Sequence, residues 1–265
     1  MRIAHIKDTQ GRVVYADQQP DGTLLRLEGE PLTGKLRTTG EAVLAKEWLP
    51  PIAPTAILCI GLNYRKHAEE GGSPIPQYPV LFMKNPAAAT GHEQPICIPK
   101  VCDDEVDYEA ELAVYIGKTA RNVPREEALK YVLGYSAAND VSARKWQSQR
   151  GGSQWVRGKS FDTFAPLGPV LVTADEVPNP NALAIRGELN GQVMQNSNTA
   201  DMIFDVPTLI SFLSQDTTLL PGTVILTGTP QGVGWARDPK VVLKPGDFYR
   251  VEIESLGVLM NPVIA

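Results

Sequence analysis

The chain has 265 residues, 43% of them apolar and 21% charged, with a formal net charge of -5. That composition is globular, long enough to bury a full core, and excludes disordered and fibrous classes. The acidic balance argues against a nucleic-acid partner, which asks for a basic face, and no run approaches the ~20 apolar residues of a membrane-crossing helix.

In chain order, residues 2 to 6 and 12 to 16 read as short strands separated by a turn from Asp8 to Gly11. Polar, glycine-containing sequence follows to Trp48, and Pro50, Pro51 and Pro54 mark a boundary. Residues 1–50 are therefore read as a small N-terminal β region and 51–265 as the main domain. Residues 56 to 60 form an apolar run read as a buried strand. Residues 65 to 78 are polar and broken by Gly71, Gly72 and prolines, and their first half fits one helical turn. That turn would set His67 and Glu70 on one face, either as a working pair or as a plain surface pair.

Residues 79 to 83 and 95 to 99 are further short strands, and Asp103-Asp-Glu-Val-Asp107 leads acidically into the stretch 106–117. Read as one strand, that stretch sets Glu109, Glu111, Ala113 and Tyr115 on one side and Ala110, Leu112, Val114 and Ile116 on the other. Two carboxylates side by side repel unless solvent, a proton or a cation neutralises them. A hard divalent cation is one solution; an edge strand with a solvated acidic face is the other.

Residues 124 to 134 carry the start and stop signals of a single short helix, with Pro124 at one end and Gly134 at the other. A strand ending at Asp140 follows, then a polar stretch, 142–158, with Arg144, Gln147 and Arg150. Strands recur at 168–173, 184–190 and 193–195, the last two joined at Asn190-Gly191. Residues 205–213 read as a capped amphipathic helix, 223–227 as a strand running into a glycine-rich segment, and 248–254 with 258–263 as a hairpin. The fold class is α+β and β-rich. Three cysteines, Cys59, Cys97 and Cys102, with no paired spacing fit a reducing compartment.

Two familiar signatures are near misses. Gly158-Lys159-Ser160 ends like a phosphate-binding loop, but Ser153 stands where that motif needs a glycine. The glycines from Gly228 to Gly234 lack dinucleotide spacing, which leaves a tight turn or a set of backbone amides lining a pocket.

The order of the motifs says more than any one of them. Gly61-Leu-Asn-Tyr-Arg-Lys-His67, Pro79-Val-Leu-Phe-Met-Lys84, Asp107-Tyr-Glu-Ala-Glu-Leu-Ala-Val-Tyr-Ile-Gly-Lys118, Asn139-Asp-Val-Ser-Ala-Arg144, Gly158-Lys-Ser-Phe-Asp-Thr-Phe164 and Ile225-Leu-Thr-Gly-Thr-Pro-Gln-Gly-Val-Gly234 follow in succession. Together, over residues 55 to 263, they resemble the fumarylacetoacetate hydrolase family. Residues 158–171 and 195–199 are most similar to its domain-containing subgroup, which includes the mitochondrial oxaloacetate tautomerase. The resemblance implies a mixed β-strand roll, a homodimer, and Mg2+ or Mn2+ in the catalytic domain.

By position it implies Glu109, Glu111 and Asp140 as metal ligands, Lys159 beside the substrate, and His67 with Glu70 as a general-base pair on a mobile lid hinged at Gly71 and Gly72. Gln147 and Thr229 are candidates for the substrate's carboxylate end, with Arg144 and Arg150 as weaker ones that could equally serve a dimer contact. The expected substrate is a small 2-oxo or 1,3-dicarbonyl acid that reacts through a metal-stabilised enolate. Hydrolytic C–C cleavage of an acylpyruvate is slightly preferred. Tautomerisation or decarboxylation of oxaloacetate and isomerisation of a hydroxymuconate-type dienoate are the alternatives, and a non-catalytic binding protein is disfavoured because every expected polar position is filled. The expected location is cytoplasmic, or the mitochondrial matrix if a presequence has been removed.

Overall fold

The turn-bounded runs at the N-terminus form an antiparallel meander, β1 (Arg2–Asp8), β2 (Val13–Gln18), β3 (Leu24–Glu28) and β4 (Arg37–Val43), with β5 (Ala45–Trp48) folding back on β1. Asp8 closes the first turn, its carboxylate accepting from the amides of Gln10 at 2.9 Å and Arg12 at 2.8 Å. These positions come from a computed structural model that describes residues 1–102 and 104–265; Asp103 of the acidic lead-in lies outside them.

Next come β6 (Ala56–Gly61), helix α1 (Arg65–Glu70), β7 (Val80–Lys84) and the two-residue strands β8 (Ala89–Thr90), β9 (Ile96–Cys97) and β10 (Val106–Asp107). The middle of the chain holds β11 (Ala110–Ile116), a 3-10 helix at Arg125–Tyr131, β12 (Val132–Asn139), β13 (Ser142–Ala143), a π-helical segment at Trp146–Arg150, α2 (Trp155–Lys159) and β14 (Ala165–Thr173). The last third is β15 (Ala184–Leu189), β16 (Gln192–Asn198), α3 (Val206–Leu213), β17 (Thr223–Leu226), β18 (Phe248–Ile253) and β19 (Gly257–Ile264).

The main sheet runs β4-β3-β2-β1-β14-β12-β11-β17-β6-β7, with β5 on β1 and β8 on β14. A second sheet runs β16-β15-β18-β19-β9. Pairing is mixed: β17 with β6, β8 with β14 and β9 with β19 are parallel and the remaining long pairs antiparallel. This is the expected β-rich α+β roll. The N-terminal strands are continuous with it, because Arg2 and Ile3 of β1 pair with Val172 and Leu171 of β14.

Three local readings change. The stretch 106–117 is two strands, not one: the Asp107 carboxylate takes the Tyr108 amide at 2.9 Å and the Asn139 side chain takes the Glu109 amide at 2.9 Å, so both donors leave the ladder. The helix at 124–134 is a 3-10 helix that runs straight into β12. Gly134 is therefore a strand residue and not a helix stop; a Cβ there would lie 2.3 Å from the Val172 carbonyl oxygen, so only glycine allows β14 to approach.

Lying between β12 and β17, β11 is buried along its whole length, which removes the solvated edge-strand reading. Its register sets Ala110 opposite Asn139 and Glu111 opposite Ala138. The start of β11 therefore meets the end of β12. The ends of β17 and β6, which run parallel to each other, arrive beside them. The chain leaves the sheet here through residues 61–64, 139–141 and 227–229, and the polar side chains collect at these exits.

Candidate active site

Glu109, Glu111 and Asp140 converge with carboxylate oxygens within 4.8 Å of one another, all three buried. Backbone contacts fix the trio, with the Asp140 amide donating to the Glu109 carbonyl at 2.9 Å and the Gly228 amide donating to Glu111 Oε2 at 2.8 Å.

Cations surround two of the three. Lys159 Nζ donates to Glu109 Oε2 at 2.7 Å and to Asp140 Oδ2 at 2.8 Å. Arg144 Nη1 lies 2.7 Å from Glu109 Oε1, and Lys84 Nζ bonds Asp140 and, at 3.0 Å, the Val141 carbonyl. Among the described residues Glu111 has no ion-pair partner. Burial raises its pKa, and Asp140 and Glu109 add to the rise. Burial also pushes Glu109 upward, but Lys159 and Arg144 outweigh it and hold this carboxyl at about 2. For Lys159, burial is outweighed by Asp140 and Glu109 and the pKa is raised; for Lys84 burial wins and the pKa is lowered.

The donor set fits a hard divalent ion. It consists of oxygens only, and it includes one buried carboxylate that is repelled by two others and neutralised by no bonded cation. Glu109, Glu111 and Asp140 would hold such an ion.

A cavity of about 140 Å³ opens over this cluster. His67, Gln147, Lys159 and Thr229 border it together with Glu109 and Glu111, so the expected residues do converge. Ile60, Leu62, Phe82 and Trp155 supply its apolar lining. Trp155 packs closely on the chain at Gly61, where an added Cβ would come within 2.3 Å of the indole. Arg144 also borders the cavity and Gln147 Oε1 accepts from its Nη1 at 3.1 Å. Arg150 does not; it reaches the Val101 carbonyl at 3.1 Å. Thr229 forms part of the wall, but its hydroxyl donates to the Ala110 carbonyl at 2.9 Å and accepts from Gln195 Nε2 at 2.7 Å.

Over the cavity, α1 carries the expected pair. His67 Nδ1 and Glu70 Oε2 are 3.1 Å apart. Burial would raise the Glu70 pKa, but the bonds from His67 and from the Gly232 amide lower it. An ionised carboxylate only accepts, so Nδ1 carries a proton toward it, and in the neutral ring Nε2 is the nitrogen with the lone pair. The Gly232 amide donates to Glu70 Oε1 at 2.9 Å, so α1 is latched onto the glycine-rich loop.

Sequence reasoning missed Lys84, Asp107, Trp155 and Gln195 as parts of this assembly. A lysine closing an apolar strand was a usable signal for Lys84. Gln195 gave none. Its Oε1 accepts from the Ala110 amide and the Tyr249 hydroxyl, both at 2.8 Å, and its Nε2 reaches the Pro230 carbonyl at 2.8 Å, a set of contacts that only the folded chain brings together.

Residues 56–264 match the family described as fumarylacetoacetate (FAA) hydrolase C-terminal. The chain is 50% identical over 217 residues to the mitochondrial oxaloacetate tautomerase fahd2 of Xenopus laevis, covering 82% of this chain and 68% of that one. Among solved structures it is similar to a 5-carboxymethyl-2-hydroxymuconate delta-isomerase from Mycobacterium smegmatis, with a TM-score of 0.86 and 37% identity over 100% of this chain and 99% of that one. A fumarylacetoacetate hydrolase from Exiguobacterium antarcticum superposes with a TM-score of 0.88 at 33% identity over the whole of both chains.

Proposed function

The chain belongs to the fumarylacetoacetate hydrolase family, and from that premise we propose that it is a divalent-metal-dependent oxaloacetate keto-enol tautomerase. The observation that carries the proposal is the cavity. At about 140 Å³ it is well below the ~300 Å³ at which pockets for drug-sized ligands begin, which suits a four-carbon acid better than a long dienoate.

A divalent ion, Mg2+ or Mn2+, held by Glu109, Glu111 and Asp140 would supply Lewis-acid charge to the oxygen that becomes negative on enolisation. The chain's own groups do the rest. His67 Nε2 takes a proton from the carbon between the two carbonyls and passes it to the 2-oxo oxygen, which makes the enol, and the reverse transfer restores the keto form, while Glu70 fixes the tautomer that leaves Nε2 basic. Lys159 stays protonated beside Glu109 and Asp140 and adds positive charge where the enolate oxygen develops. Arg144 and Gln147 hold the substrate's carboxylate end, with Thr229 in the wall beside them; a hydroxyl already donating to Ala110 is a poor donor to a carboxylate. With α1 latched, bulk water is kept from the enolate.

Hydrolytic cleavage of an acylpyruvate is the second reading, because the His67–Glu70 pair would equally activate a water. The proposal also includes a homodimer, to be checked by light scattering after gel filtration.

The test is a panel of oxaloacetate, acetylpyruvate and a longer dienoate with Mg2+, Mn2+ or EDTA, following ultraviolet loss of the enol and identifying products. Rapid metal-dependent loss of the oxaloacetate enol without cleavage is the expected result. Full activity in EDTA would end the metal assignment, and cleavage of acetylpyruvate with no effect on oxaloacetate would put hydrolysis in its place.

A further inference from the structure

Asp107 is fully buried in β10, and no step of the proposed reaction uses it. Its carboxylate collects five donors. Oδ1 accepts from the amides of Tyr108 at 2.9 Å and Gly234 at 2.8 Å. Oδ2 accepts from the Trp235 amide at 3.0 Å and from Arg144, through Nε at 2.9 Å and Nη2 at 2.6 Å.

These donors belong to two structures with different tasks. Gly234 and Trp235 end the glycine-rich loop whose Gly232 amide receives Glu70 from α1. The loop approaches so closely that a Cβ on Gly234 would lie 2.7 Å from Asp107 Oδ1 and 1.9 Å from the Val241 carbonyl oxygen. Arg144 spends two nitrogens on Asp107 and turns its third, Nη1, toward Glu109 and Gln147 at the cavity. One carboxylate thus fixes both the surface on which the lid lands and the direction of the guanidinium under it.

We propose that Asp107 is a positioning residue that couples closure of α1 to the aim of Arg144. If Arg144 lets go, the carboxylate loses two of its five donors and is held by amides alone, the Gly234 and Trp235 amides lose a firmly oriented acceptor, and the Gly232 amide meets Glu70 less often. Coupling of this kind is reciprocal, so an unlatched lid leaves Arg144 less well aimed. A simple structural staple would cost stability without linking the two events. The consequence for catalysis rests on the reading of the cavity as a 2-oxo acid site; the coupling itself does not.

Among the described residues Arg144 makes no hydrogen bond or ion pair to α1, which makes a conservative change there informative. Hydrogen exchange of residues 65–78, read by mass spectrometry on the full metal-free chain, is compared for wild type, Arg144→Lys, Asp107→Asn and the double variant. Each single change is expected to speed exchange in α1 by about fivefold or more, the lower end of ordinary coupling. The double variant should exchange no faster than the faster single one, because both cut the same link. Wild-type exchange in Arg144→Lys, or a double variant whose acceleration is the product of the two singles, overturns the proposal. Should Asp107→Asn fail to fold, Arg144→Lys decides alone. Binding of oxalate with Mg2+ to the wild type is measured in parallel; its absence would count against the proposed function and leave the exchange result standing.

Discussion

At the scale of single residues, the three acidic groups of the trio are not equivalent. Glu109 and Asp140 are surrounded by cations, whereas Glu111 is buried beside two like charges. In the metal-free protein the folded state therefore holds a proton on Glu111 at pH values where the unfolded chain has lost it. Stability should fall as pH rises above about 4.3, the ordinary glutamate value, toward the raised folded one. Thermal unfolding from pH 5 to 8 should show this decline in EDTA and a Mg2+-induced gain that grows with pH, and Glu111→Gln should remove both. Asp140→Ala should act oppositely, because it leaves Lys84 buried without a carboxylate. A loss of roughly 3–5 kcal/mol by denaturant titration is expected, the usual cost of breaking a buried pair. Strand alternation alone set Glu109 and Glu111 on one face but left a cation site and a solvated edge equally open until the motif order was read. Asp140 and Lys159 needed the motif order, since nothing local distinguishes them, and Asp107 was hidden because its partners lie 37 and 127 positions along the chain.

At the scale of elements, α1 is six residues long with one buried side chain, Ala68, too short to be a stable helix alone. Glu70 compensates by doing two jobs with one carboxylate, orienting His67 and latching onto Gly232. Glu70→Gln separates them. Its carbonyl can still accept from Gly232, but its amide would donate to His67 Nδ1, move the ring proton to Nε2 and remove the base. Turnover should drop by about 10²–10⁴, the usual worth of general-base catalysis, with oxalate affinity and α1 exchange near wild type. An equal loss of lid protection would mean that the carboxylate's charge, not its acceptor geometry, holds the lid. Elements with a clean two-residue alternation or turn signal were readable in advance, as in the hairpin of β15 and β16 and the Asp205-capped α3. The segment 142–159 was not, because its π-helical turn and α2 are set by tertiary contacts: a Cβ on Gly158 would lie 2.4 Å from the Gln147 amide nitrogen, so the two turns are pressed together.

At the scale of the molecule, composition drew a boundary near residue 50, and the sheet runs across it. Ile3, Ala4 and Ile6 of β1 are fully buried, and β1 covers an edge of β14 that removal of residues 1–50 would expose. The chain from residue 51 onward should therefore aggregate or stay unfolded in a refolding assay, while the full chain refolds. Sequence reading found the β-rich class but not this continuity, since strand partners far apart in the chain leave no local periodicity to read. The latched lid has a further consequence, in time. A cavity this small, with His67 of a helix pinned to a backbone amide in its wall, admits a bulky inhibitor more readily once that helix is unpinned. The observed association rate of a tight-binding enol mimic should then stop rising with its concentration and level off at the rate of opening. Dissociation, limited by the same step, would give such a compound a long residence that its equilibrium affinity alone does not foretell.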